Sequence, residues 1–179
     1  EIAQRCVKEI FLPTVAALKA EGRPFKGVIY FGLMLTTDGP KVVEYNARFG
    51  DPETQPILSM LDTDLMDIFQ ACVDGTLDQV DIQWKSGAAC CLVLASGGYP
   101  VSYKGGYPIS GLEEAEKLGA TVFHAGTKAE NGQILTAGGR VLGVTATGST
   151  LEEAIAAAYA AAKPISFQDM HFRTDIGKV

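Results

Sequence analysis

Apolar residues recur at helical spacing from the first positions of the chain, with Ile2, Cys6, Val7 and Ile10 on one face. Pro13 either kinks this helix or opens a second one, whose apolar face carries Val15 and Leu18. Gly22 and Pro24 end it. The pattern then changes. Residues 28–35 are almost continuously apolar and rich in β-branched and aromatic side chains, as in a strand covered on both faces. Thr37-Asp38-Gly39-Pro40 is a turn signal, and the extended pattern resumes over residues 41–46. These two segments predict an antiparallel hairpin. A polar stretch, residues 47–55, follows. A helix is predicted from Asp64 to Asp74, with Leu61, Leu65, Ile68, Phe69, Cys72 and Val73 on one stripe and Gly75 at its end.

The polar, turn-rich residues 74–87 mark a composition shift, which places a domain boundary between 1–78 and 79–179. Beyond it the pattern predicts a strand over 88–95, a glycine- and tyrosine-rich loop over 96–107 and a short helix over 112–118. Further strands are expected near 120–124, 133–136 and 140–147. Ser149 and Glu152 have capping-box spacing and open an alanine-rich helix that stops at Pro164. Strands mixed with helices on one face make the class α+β.

Composition narrows the range of functions. A chain of 179 residues, 47% hydrophobic and 20% charged, can bury a core. Its apolar runs fall well short of the roughly 20 residues that span a bilayer, so no membrane partner is expected. A net charge of −6 with scattered Lys and Arg argues against a nucleic-acid surface. Cys6, Cys72, Cys90 and Cys91 show no C-x-x-C spacing and read as free thiols of a reducing cytoplasm. Glu1 already stands in a helical pattern with no capping residue before it, so the chain reads as part of something longer.

The segment richest in chemistry is Glu44-Tyr45-Asn46-Ala47-Arg48-Phe49-Gly50-Asp51-Pro52-Glu53. Strand side chains alternate faces, so Glu44 and Asn46 point one way. Two hard oxygen donors at a strand end suit Mg²⁺, which takes few protein ligands and completes its shell with water and phosphates. Arg48 extends this face if the strand continues, and its planar fork suits a phosphate or carboxylate. Asp51 and Glu53 add acid to the following loop. The plainer alternative is a polar turn in which Glu44, Arg48 and Asp51 form surface ion pairs.

Residues 44–55, Glu-Tyr-Asn-Ala-Arg-Phe-Gly-Asp-Pro-Glu-Thr-Gln, are similar to the signature segment of the glycinamide ribonucleotide synthetase (phosphoribosylamine–glycine ligase) family. Residues 27–36, 95–100, 122–127, 138–142 and 173–177 resemble further blocks of that family in the same order. The resemblance implies the C-terminal part of an ATP-grasp fold followed by a small α+β C-terminal domain. It also implies a ligase that joins glycine to 5-phosphoribosylamine through a glycyl phosphate, with ATP and Mg²⁺ (or Mn²⁺) as cofactors. Glu44 and Asn46 fall on the family's metal and nucleotide-phosphate ligands. Arg48 falls where a catalytic arginine contacts substrate or phosphate, and Gly50, Asp51 and Glu53 lie beside the amine and glycine pocket. Two departures stand out. Residues 28–36 contain no acid for a further metal, and the family's N-terminal domains, with their glycine-rich loop over the phosphates, have no counterpart here. This piece alone is therefore not expected to turn over. The E-x-N-x-R spacing is shared with other ATP-grasp carboxylate–amine ligases and biotin-carboxylase-like enzymes, and a non-catalytic module is the third reading.

Other features read as structural. His124, at a strand end, is expected to be a satisfied structural histidine, and His171 has no Ser-His-Asp or Cys-His spacing around it. Ser96-Gly97-Gly98-Tyr99-Pro100 and Gly105-Gly106 do not match G-x-x-x-x-G-K-[ST]. Gly138-Gly139-Arg140 reads as a β-turn with a surface arginine, and Arg173 with Asp175 as a local pair.

Overall fold

The structure, a computed structural model, describes residues 1–177. The chain divides into two compact units: Glu1–Gly50 with Thr63–Ile82, and Asp51–Asp62 with the residues from Gln83 onward. It therefore changes unit after Gly50, after Asp62 and after Ile82, the last of these within the polar 74–87 stretch. Among the described residues no helix is long and apolar enough to cross a membrane.

The first unit opens with helix α1 (Ile2–Cys6), one π-helical turn (Val7–Phe11) and helix α2 (Leu12–Ala20). Pro13 explains the interruption. It lacks an N–H for the carbonyl four residues back, and its ring crowds that carbonyl; the wider turn absorbs both. At the far end Gly22 takes φ 71°. Its N–H donates to the Lys19 carbonyl at 3.1 Å, and the Arg23 N–H donates to the Leu18 carbonyl at 2.9 Å. These bonds satisfy carbonyls the helix leaves open.

Strands β1 (Tyr30–Thr36) and β2 (Gly39–Asn46) form the expected antiparallel hairpin, with a bulge at Gly32/Leu33. Phe31 lies opposite Tyr45, and its ring centroid is 4.4 Å from that of Phe11. Full coverage of both strand faces, as the apolar run suggests, does not occur within this chain: Met34 is 58% and Val43 67% exposed. The reason is the sheet itself, which has only these two strands in this unit. Helix α3 (Thr54–Ser59) belongs to the second unit, and helix α4 (Leu65–Asp74) returns to the first. The Asp64 carboxylate caps α4 by accepting from the Met66 N–H at 2.8 Å, and Gly75 at φ 76° closes it.

The second unit is built on a three-stranded antiparallel sheet in the order β3–β7–β4, with β3 at Ala88–Ala95, β4 at Thr121–His124 and β7 at Arg140–Gly148. Cross-strand partners Cys90 and Ala146, Leu92 and Val144, and Leu94 and Leu142 share one face. That face packs on helix α6 (Leu151–Ala162), whose Ala154, Ala158 and Ala161 are fully buried. Helix α3 lies on the opposite face, against β3 and β7. Burial from both sides explains why residues 141–146 are all sequestered. A short helix α5 (Leu112–Lys117) and a hairpin of β5 (Thr127–Glu130) and β6 (Gln133–Thr136) complete the unit.

Three local expectations change. Helix α3 occupies the end of a stretch read as polar loop, and β5 pairs with β6 where no strand was read. The α6 cap sits one residue later than the Ser149/Glu152 spacing suggests. The Thr150 hydroxyl accepts from the Glu153 N–H at 3.2 Å, and the Glu153 carboxylate accepts from the Ser149 N–H at 2.9 Å. The cause is β7, which stays paired through Gly148 opposite Ala88 and delays the helix start.

In urea unfolding of the 179-residue chain, Leu92→Ala is expected to cost about 3 kcal/mol because it leaves a cavity under α6. Val43→Ala should cost about 0.5 kcal/mol or less, since that side chain is already in water. Equal losses would contradict this placement of the core.

Candidate functional site

Glu44 and Asn46 sit on one face of β2, as the alternation requires. Asn46 Nδ2 donates to Glu44 Oε1 at 3.2 Å. Directly across the hairpin from Glu44 is Gly32. A Cβ added there would lie 2.7 Å from Glu44 Cγ and 3.4 Å from Oε1. Glycine at that position thus leaves the room in which the carboxylate lies over β1. Glu44 is exposed and Asn46 half-buried, so the pair faces solvent on a backbone fixed by the ladder.

This donor set fits Mg²⁺. A carboxylate and an amide are hard oxygen ligands, and a half-turn of the Asn46 amide exchanges its nitrogen for Oδ1 beside Glu44. Among the described residues no group of three or more His, Cys, Asp and Glu converges to hold a metal ion, here or elsewhere. Two protein ligands suffice for an ion that shares nucleotide phosphates.

The other predicted residues are placed differently. Strand β2 ends at Asn46, so Arg48 does not continue its face. Arg48 Nη1 instead donates to the Phe49 carbonyl at 2.8 Å, and among the described residues its side chain makes no bond to Glu44 or Asn46. Phe49 is held near Phe69, ring centroids 6.1 Å apart, and Gly50 is buried. Asp51 and Glu53 belong to the second unit. Glu53 is the residue before α3, with its carbonyl accepting from the Ile57 N–H at 3.3 Å.

Asp51 has the most defined surroundings of the group. Its Oδ1 accepts from Gln55 Nε2 at 2.7 Å and its Oδ2 from Arg140 Nη1 at 3.1 Å. The same Arg140 nitrogen also donates to the Asp51 backbone carbonyl. The hydrogen bond that Arg140 donates to the Asp51 carboxylate raises the guanidinium pKa, with partial burial opposing. The Tyr99 ring lies 6.0 Å from the guanidinium carbon. Asp51 therefore forms an exposed ion pair, and its partner is Arg140 rather than Arg48. The contacts of Arg140 and Gln55 with Asp51 are what sequence reasoning missed. Arg140 is 89 positions from Asp51, and no local spacing announces such a contact.

Beside this pair is a largely apolar cavity of about 410 Å³, whose lining includes Pro52, Cys91, Tyr99, Arg140 and His171. Burial pushes the Cys91 thiol up, with the Thr145 hydroxyl pulling the other way, and burial raises Cys90 as well. Both thiols thus stay protonated and poor as nucleophiles. His124 Nδ1 is 3.0 Å from the Thr127 hydroxyl, the structural role expected for it. Arg173 and Asp175 form their local pair at 2.8 and 2.7 Å.

The hairpin of one unit and the α+β sheet of the other match one class of protein: the end of an ATP-grasp domain followed by a C-terminal domain. Residues 1–54 match the model of the phosphoribosylglycinamide synthetase ATP-grasp (A) domain, and residues 89–179 that of the phosphoribosylglycinamide synthetase C domain. The chain belongs to the phosphoribosylglycinamide synthetase family. It is 50% identical over 178 residues to a phosphoribosylamine–glycine ligase of Vibrio parahaemolyticus, covering 99% of this chain and 42% of that protein. A phosphoribosylamine–glycine ligase of Synechocystis is 52% identical over 172 residues, 95% of this chain and 41% of the relative. The crystal structure of a phosphoribosylamine–glycine ligase from Thermotoga maritima superposes with TM-score 0.82 at 33% identity, over 96% of this chain and 42% of that one. The chain thus spans about two-fifths of the length of the relatives it matches.

Timed alkylation by iodoacetamide at pH 8, read by mass spectrometry, should label Cys90 and Cys91 more slowly than free cysteine. Rates equal to free cysteine would contradict the raised thiols.

Proposed function

We propose that this chain is the C-terminal portion of an ATP-dependent ligase that joins glycine to 5-phosphoribosylamine, giving glycinamide ribonucleotide. The observation that carries the reading is the Glu44–Asn46 pair over Gly32, in a chain of this family. In this reading residues 1–78 are the end of the ATP-grasp domain and residues 79–179 the C-terminal domain, in a cytoplasmic enzyme.

The chemical problem is anion meeting anion. Glycine's carboxylate attacks the γ-phosphorus of ATP, ADP leaves, and the glycyl phosphate is taken by the amine of 5-phosphoribosylamine with release of phosphate. Glu44 and Asn46 would hold Mg²⁺, and the ion would supply positive charge to neutralise the nucleotide phosphates. Arg48 contributes a second cation. With Nη1 tied to the Phe49 carbonyl and no other partner among the described residues, the rest of its fork can meet a phosphate or carboxylate. Gly50, Asp51 and Glu53 border the amine and glycine pocket, where a carboxylate recognises an ammonium. No side-chain nucleophile is needed, which agrees with the protonated state of Cys90 and Cys91.

Nucleotide binding also needs the part of the domain that covers the phosphates, and the 179 residues alone are not expected to turn over. The same missing part accounts for apolar side chains such as Met34, Val43 and Tyr45 that the first unit leaves in water. In the full-length enzyme, Glu44→Gln should reduce glycine-dependent ADP release by at least about a hundredfold, with the circular dichroism spectrum unchanged. Near-normal turnover by that variant would remove the metal assignment.

A further inference from the structure

Gln55 carries a buried acceptor that the protein does not satisfy. Its Nε2 donates to Asp51 Oδ1 at 2.7 Å, while its Oε1 is sealed from solvent without a hydrogen-bond partner among the described residues. Turning the amide over would set two acceptors face to face, so Asp51 dictates its orientation. A buried amide oxygen left unpaired destabilises a fold. Gln55 lies on α3 against the sheet, where a Cβ on Gly143 would be 3.7 Å from its Nε2 and 3.8 Å from its Cγ. A side chain of the same length without the amide would fill this space and remove the orphan.

The benefit falls on Asp51. Gln55 on Oδ1 and Arg140 on Oδ2 fix the plane of the carboxylate from two sides. Each oxygen keeps a further lone pair. The Asp51 side chain is still 43% exposed, so the oriented oxygens remain accessible to a ligand.

We infer that Gln55 is a positioning residue: it orients Asp51 to receive the ammonium group of an amine substrate, at a cost to fold stability. The inference rests on the proposed function, in which Asp51 borders the amine and glycine pocket. It separates from a purely structural role because stability and activity should move in opposite directions.

The test is Gln55→Met in the full-length enzyme, alone and combined with Asp51→Asn. The single variant should keep or raise the melting temperature while kcat/KM for glycine falls about tenfold, mostly through KM. In the Gln55→Met background, Asp51→Asn should cost much less than it does in the wild type, because the two residues act as one unit. A melting temperature that falls, a kcat/KM within about twofold of wild type, or additive losses in the double variant would each overturn the inference. If Gln55→Met does not fold, Gln55→Leu is judged by the same criteria, and failure of both to fold makes Gln55 structural and overturns it too. A wild-type enzyme that releases no ADP with glycine and 5-phosphoribosylamine would defeat the proposed function itself. An active wild type with an unaffected Gln55→Met defeats the positioning role alone.

Discussion

Everything proposed for this chain depends on how closely two strands approach at Gly32 and Glu44. The carboxylate occupies space that any Cβ on the opposite residue would fill, so the hairpin accepts Glu44 in this pose only because residue 32 is glycine. The pleat then sets Asn46 on the same side, within hydrogen-bond distance of the carboxylate. The proposed two-ligand oxygen site would rest on a steric allowance, a register and a period of two. The bulge at Gly32/Leu33 falls beside it and shifts the register, so that Leu33 pairs with Val42 and the ladder runs on to Thr36 and Gly39.

The two units differ in how complete they are. In the second, β7 is buried from both sides, and the alanines of α6 let a helix lie close over the sheet. In the first, a two-stranded hairpin and its helices leave large apolar side chains in water, Val43 at 67% and Met66 at 67% among them. Two strands seldom hold together by themselves in water. The proposed position of this chain at the end of a longer domain gives those side chains a reason to be apolar.

Local chemistry was legible in the sequence, and distant pairing was not. The hairpin, α4 with its Gly75 stop, and β3 at residues 88–95 follow from propensity and period alone. The resemblance carried by residues 44–55 pointed to the same family as the comparisons. Helix α3 was hidden because Gly50, Asp51 and Pro52 are turn formers and Pro56 interrupts the helical signal, and its packing on β3 and β7 stabilises the segment. The Thr150 cap was missed by one residue because strand pairing at Gly148 outcompeted an earlier helix start. Arg140 read as a surface turn residue, since nothing in the Gly138-Gly139-Arg140 run reveals that Asp51 waits across the fold.

The most direct measurement is a crystal structure of the full-length enzyme with Mg²⁺ and a non-hydrolysable ATP analogue. An ion whose protein ligands are Glu44 Oε and Asn46 Oδ1, shared with the nucleotide phosphates, is the expected result. An ion bound to the phosphates through other residues, with Glu44 and Asn46 turned away from it, would contradict the assignment.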